Sequence, residues 1–115
     1  MNQFKARTIF FGWFSSFIPS KDDITLAGVL SALADPMRLR IVKSLLGCNS
    51  CMSCTEATPL PGMAKSTLSH HFRVLREAGL IQTSKRGVEH RNVVREDDIN
   101  TRFPKLLETV LGFGD

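Results

Sequence analysis

No stretch of the 115-residue chain reaches about 18 consecutive apolar residues, so no membrane-spanning helix is expected. Neither an internal repeat nor a low-complexity tract occurs, which sets aside solenoids and disordered arrays. Apolar residues are 43% of the total, too many for a disordered chain and ordinary for a globular one. The length suits one compact domain and is too short for two. Cysteine is scarce and oddly placed: the three residues are Cys48, Cys51 and Cys54. An odd, tightly spaced set is no framework for an oxidised secreted scaffold and points to a reducing, cytoplasmic setting.

The first residues mimic a secretory leader but lack its ending. "TIFFGWFSSFI" follows Lys5 and Arg7, yet no A-x-A-like cleavage site precedes "PSKDD". Six of the nine aromatic residues fall here, and Phe10, Phe14 and Phe17 share one helical face. Residues 1–23 therefore read as an aromatic-rich arm that packs on the domain or on a second subunit. Residues 24–115 read as the folded domain.

Anions are few where cations are many. Residues 65–95 hold seven cations and only Glu77 and Glu89 as anions, while the remainder carries eight cations against nine anions. The net charge of +4 thus belongs to one contiguous third of the chain. A polyanionic partner fits this distribution, and a merely solvated basic surface fits it on charge alone.

The local signals order the elements. "ITLAGVLSALA" predicts a helix with Leu26, Leu30 and Leu33 on one face. In "DPMRLRIVKSLLG", Asp35 caps the first turn and Pro36 occupies its first position, where a missing N–H costs nothing. Leu39, Val42 and Leu46 form the apolar stripe, with Ile41 and Leu45 flanking it, and Gly47 is expected to end the helix in a left-handed turn. The cysteine stretch has room for a short helix near 51–57 before Pro59, Pro61 and Gly62 break it. Ser66 is expected to cap the next helix, about 66–78, which Gly79 terminates. "LIQTS" and "EHRNVVR" predict two strands joined by a turn at Gly87. Asp97 or Asp98 is expected to cap a further helical turn, and Pro104 to start the final helix. This order is mainly α with a small β-hairpin, the winged helix-turn-helix arrangement.

"KSTLSHHFRVLREAGLI" carries the functional expectation. At about 100° per residue, Leu68, Phe72, Leu75 and Gly79 share one side of the helix. Ser66, Thr67, His70 and Arg73 lie roughly opposite, with Ser69 and His71 at the edges. Such a face can enter the major groove, which is about 12 Å wide, with hydroxyl, imidazole and guanidinium groups toward base edges and phosphates. Lys85, Arg86 and Arg91 of the hairpin are placed to reach flanking backbone or minor groove. Adjacent His70 and His71 point too far apart to share one ion, so His70 suits base or phosphate contact and His71 a structural hydrogen bond. The competing reading is an ordinary amphipathic surface helix.

"LADPMRLRIVKSLL", "KSTLSHHFRVLREAGLI" and the glycine-containing hairpin together resemble the ArsR/SmtB family of bacterial winged-helix repressors, over about residues 26–111. The resemblance implies a homodimer joined through terminal helices, with one recognition helix per operator half-site on double-stranded DNA. It also implies repression relieved by an inducer, often a metal or metalloid and sometimes an oxidant. By the motif, Ser66, Thr67, Ser69, His70 and Arg73 match the DNA-reading helix, and Arg86 and Arg91 match the wing loosely. The family's zinc site on the last helix needs histidine, and "DDINTRFPKLLETVL" has none.

The family's arsenic-sensing branch carries C-x-C-x-x-C before the recognition helix; here the region holds C-x-x-C-x-x-C. Three thiolates at Cys48, Cys51 and Cys54 suit a soft three-coordinate ion such as As(III), whereas Zn(II) wants a fourth ligand. The run also resembles an iron–sulfur pattern with Thr58 in place of the fourth cysteine. A redox reading needs only a pair, Cys51–Cys54 or Cys48–Cys51. A further reading makes one cysteine core and the others incidental. No catalytic acid or oxyanion motif accompanies the thiols, so an enzyme is not expected and no catalytic residue is assigned. The remaining alternative is a winged-helix protein-interaction module without DNA binding, against which the basic third of the chain argues.

Overall fold

Two strands, β1 (Ala6–Phe11) and β2 (Phe14–Pro19), open the computed structural model, which describes residues 6–11, 14–47, 63–86 and 89–113. A short 3-10 turn (Lys21–Asp23) leads to α1 (Leu26–Leu33) and α2 (Pro36–Leu46). Then come α3 (Lys65–Glu77), the hairpin of β3 (Ile81–Arg86) and β4 (Glu89–Val94), α4 (Glu96–Arg102) and α5 (Leu106–Leu111). Among the described residues, two helices, the recognition-type helix, the hairpin and the closing helices follow one another in the order that the sequence predicts. The expected short helix near 51–57 and the turn at Gly87 lie outside the described residues.

The arm departs from its expected period. β1 and β2 pair antiparallel from Ala6 opposite Pro19 to Phe11 opposite Phe14. A run of Phe, Ile and Thr satisfies helical spacing by chance, but its residue types favour extended pairing. β2 packs on α3.

α1 begins where Thr25 accepts a hydrogen bond from the Gly28 amide at 3.0 Å. Its core face is Val29, Ala32 and Leu33; Leu26 and Leu30 are instead 45% and 44% exposed. The expected Leu26–Leu30–Leu33 stripe is thus rotated. Leucines flank both sides of this helix, so periodicity alone leaves its phase open.

α2 starts as expected. The Asp35 carboxylate accepts from the Met37 and Arg38 amides at 2.8 and 3.2 Å, and Pro36 occupies the first turn. Burial works against this carboxylate's charge, but the two amide bonds and the nearby Arg38 and His71 hold it below its ordinary pKa. The expected Leu39–Val42–Leu46 stripe is rotated toward its flanks: Ile41, Val42 and Leu45 enter the core, and Leu39 and Leu46 pack at its margin. Gly47 does not turn left-handed: its φ is −76°.

Gly79 does. With φ +84° it ends α3 in a two-bond C-cap, its own amide donating to the Arg76 carbonyl and the Leu80 amide to the Leu75 carbonyl, both at 3.0 Å. Later boundaries differ from expectation. Asp97 and Asp98 lie inside the first turn of α4, whose N-cap is Arg95 and has no side-chain cap bond. α5 begins after Lys105, a left-handed residue with φ 65°, rather than at Pro104.

One core joins these pieces. α1 packs on α2, α2 on α3 and β4, and α3 on β3. Phe72 and Leu75 from α3 share one buried cluster with Ile41 and Val42 from α2, and Leu80, Ile81, Ile99 and Leu107 belong to it as well. The recognition-type helix is therefore seated on α2 from below, the arm from one side and the hairpin from its C-terminal end.

Candidate nucleic-acid interface

The faces of α3 fall as its sequence predicts. Phe72 and Leu75 are fully buried and Leu68 is half-buried. Lys65, Ser66, Thr67, His70 and Arg73 are exposed, while Ser69 and His71 sit half-buried at the edges. Ser66 is not the cap, however. Ala64 holds that position without a side-chain bond, and Ser66 is the second residue of the helix. Its hydroxyl is thus part of the exposed face at the first turn, where the helix's unpaired amides also point outward.

Arg73 is not a lone cation. Its Nε donates to Glu77 Oε2 at 3.0 Å, one helical turn on, with the Arg73 side chain 59% exposed. The four-residue spacing announces this pair in the sequence, and an exposed pair of this kind is worth only about 0.3–0.5 kcal/mol. A stronger anion can displace Glu77 cheaply.

Two of the seven cations that made residues 65–95 basic are structural. Arg76 is 2% exposed, on the inner side of α3. Arg95 grips Asp98 at 3.0 Å and donates to the Pro19 carbonyl at 2.9 Å, pinning the end of the arm. Arg102 does the same at the Ile24 carbonyl, at 2.8 Å. Arg76 stands four residues after Phe72, so the helical spacing itself places it beside the core side of α3, where a net-charge count does not register it.

The hairpin is anchored by its inner face. Ile81 pairs with Val94 and Thr83 with Asn92, and all four are buried. Thr83 Oγ1 donates to Asn92 Oδ1 at 2.6 Å, closing a polar pair inside the wing's base. Further out, Ser84 pairs with Arg91, which is half-buried, Lys85 with His90, and Arg86 with Glu89. The three wing cations of the sequence reading thus lie on the outer half of the ladder, away from the core end. Cys48, Cys51 and Cys54 lie outside the described residues. Among the described residues, no group of three His, Cys, Asp or Glu is placed to hold a metal ion.

His71 makes the structural bond expected of it. Its Nδ1 lies 3.3 Å from Arg38 Nη1, and Arg38 Nε donates to the Ala32 carbonyl at 2.7 Å. A guanidinium has donors only, so Nδ1 is the acceptor. Burial pushes the His71 pKa down, and the charges of Arg38 and His70 add to this against the opposing pull of Asp35. The partner, Arg38, was not foreseen.

A half-buried helix with a short polar outer face, followed at once by a two-stranded hairpin, is the winged helix-turn-helix arrangement. Residues 35–83 match the model of the arsR family of bacterial regulatory proteins. The uncharacterized HTH-type transcriptional regulator YceK of Bacillus subtilis is 38% identical over 97 residues, 83% of this chain and 97% of the relative. The chain belongs to the ArsR family. Solved ArsR structures agree. The ArsR-like transcriptional regulator from Rhodococcus sp. RHA1 superposes with a TM-score of 0.57 at 29% identity, over 74% of this chain and 77% of that one. The homodimeric winged helix-turn-helix DNA-binding domain Mb0332 of Mycobacterium bovis does so with a TM-score of 0.59 at 25% identity, over 76% and 78%. This ArsR-family protein is thus a transcriptional regulator with a winged helix-turn-helix fold, and its relatives are regulators rather than enzymes. Among the described residues, no helix is long and apolar enough to cross a membrane.

Proposed function

We propose that the protein is a cytoplasmic, homodimeric repressor that reads a pseudo-palindromic operator with α3. The observation that carries this reading is the division of α3 into a core side of Phe72 and Leu75 and an exposed side of Ser66, Thr67, His70 and Arg73. Hydroxyls, imidazole and guanidinium are the groups that pair with base edges and phosphates in the major groove. Lys85, Arg86 and Arg91 of the wing serve flanking phosphates, and Ser69 supports the reading face from its edge. The family resemblance puts the dimer interface on terminal helices. The exposed leucines Leu26 and Leu30 on α1, and Phe113, 73% exposed just past α5, suit such a contact. The homodimeric state of the Mycobacterium bovis relative supports the same assembly. Two copies of α3 must then sit about 34 Å apart to meet successive major grooves.

The inducer reading rests on the donor set of Cys48, Cys51 and Cys54. Three thiolates fit a soft three-coordinate ion such as As(III), and any two of them fit a disulfide. Either event ties together the chain just ahead of α3 and acts on the spacing of the two reading helices.

Fluorescence anisotropy on duplexes from the gene's own upstream region tests the proposal. If about six phosphates are contacted, affinity falls about a thousandfold between about 50 and 200 mM salt. Absence of binding, or an affinity indifferent to salt, would leave the protein an interaction module instead. Arsenite or mild peroxide should release DNA from the wild type and not from a variant with all three cysteines changed to serine. Release from that variant would show the thiols to be incidental.

A further inference from the structure

Arg38, in the first turn of α2, bonds through its side chain to both α1 and α3. Its Nε donates to the Ala32 carbonyl near the end of α1 at 2.7 Å. Its amide is held by Asp35 at the start of α2. Its Nη1 donates to His71 Nδ1 in the middle of α3 at 3.3 Å. His71 stands between His70, on the exposed face, and Phe72, in the core. The bond therefore acts at the level of α3 where the outward-facing groups emerge. The core contacts of Phe72 and Leu75 are non-directional, and they resist separation better than rotation. A directional bond beside them fixes how far α3 is rolled about its axis.

We propose that the Arg38–His71 hydrogen bond sets the roll of the recognition helix, so that a proton on His71 weakens specific DNA binding without unfolding the protein. This deepens the DNA-binding reading and rests on it. The chemistry is simple. Neutral His71 keeps its hydrogen on Nε2 and offers the Nδ1 lone pair to Arg38. When a proton occupies Nδ1, two N–H groups face each other and two positive charges adjoin. The bond is lost and becomes a repulsion. His71 is thus a positioning residue, distinct from His70, which is placed to meet DNA directly.

The charged groups around His71 oppose one another. Arg38 from α2 and His70 from α3 disfavour the imidazolium, and the Asp35 carboxylate favours it. Burial, the largest influence, disfavours it, and the balance keeps His71 neutral to a lower pH than an ordinary histidine. The sign follows: the neutral-state bond is fully present above the ordinary histidine pKa and is lost as pH falls through the lowered one.

Comparison of the wild type with H71N tests this. The asparagine Oδ1 occupies nearly the place of Nδ1, accepts from Arg38, and does not titrate. Binding to operator and to unrelated duplex is followed by anisotropy from about pH 8 to about pH 5.5, with circular dichroism to confirm folding. Every residue other than 71 is common to both proteins, so the comparison isolates this position. The loss of one hydrogen bond predicts that wild-type specific affinity falls about two- to tenfold further than that of H71N over this range. At the upper pH the two should bind alike. Equal pH profiles with intact binding would overturn the positioning role and leave the DNA reading standing. No specific binding by either protein at the upper pH would overturn both. Should H71N not fold, imidazole NMR of the wild type decides: Nδ1 must be the unprotonated acceptor at the upper pH, and its titration must coincide with the loss of affinity. An Nδ1 that carries the hydrogen at the upper pH would overturn the proposal.

Discussion

Gly79→Ala should destabilise the protein by about 2–4 kcal/mol, seen as a lower urea midpoint with an unchanged slope. Two costs combine. The residue has φ +84°, a backbone region that L side chains enter at about 1–2 kcal/mol. In addition, an alanine methyl would lie 2.6 and 2.7 Å from two carbons of Ile24 and 3.3 Å from Pro19. Ile24 is 1% exposed and has no room to retreat. Something must shift, and the candidates are α3, the arm or the start of the wing. Stability and DNA affinity should therefore fall together. Gly47→Ala is the control. Its φ is −76° and its added methyl meets nothing closer than 3.4 Å, so it should be neutral or stabilising by at most about 1 kcal/mol. Equal losses at both sites would show that general glycine chemistry, and not this close approach, sets the effect.

The two glycines also show what sequence can and cannot convey. Each follows an amphipathic helix and was expected to end it, Gly47 through a left-handed turn. Only Gly79 turns left-handed, because the chain passes there against Ile24 and continues directly into the buried Leu80 and Ile81. That approach is tertiary and leaves no local mark. The start of α2 was legible because Asp35 and Pro36 act within a few residues of themselves. The faces of α3 were legible because its apolar residues lie on one side only. α1 was misphased for the opposite reason, since Leu26 and Leu30 compete with Val29 for the core. In the arm, Phe10 and Phe14 fit a helical period, yet Phe10 is registered opposite Ser15 in a hairpin. Charge was the least faithful guide. Arg76 and Arg95 added to the basic count of the wing region while serving the core and the arm. The Arg73–Glu77 pair, by contrast, stood in the spacing and was overlooked.

Loss of the reading groups should separate two kinds of DNA contact. His70→Ala and Arg73→Ala are each expected to weaken operator binding about 10- to 100-fold, the worth of a base contact of roughly 1–3 kcal/mol. Binding to unrelated duplex should change far less. Both side chains are exposed, so the melting temperature should hold. If either variant unfolds, the helix faces are assigned wrongly. Lys85→Ala and Arg86→Ala should behave differently, weakening all duplexes alike and lowering the salt slope by about one each, as phosphate contacts do. Arg73 carries an internal test. To reach DNA it must leave Glu77, at a cost of about 0.3–0.5 kcal/mol. That is smaller than the contact it gains, so the pair holds the guanidinium near its working position without withholding it. Glu77→Gln removes this competitor, and operator affinity should rise about twofold at most. A large fall instead would mean that Glu77 aims Arg73 rather than competes for it. The specific contact would then belong to the Arg73–Glu77 pair as a unit.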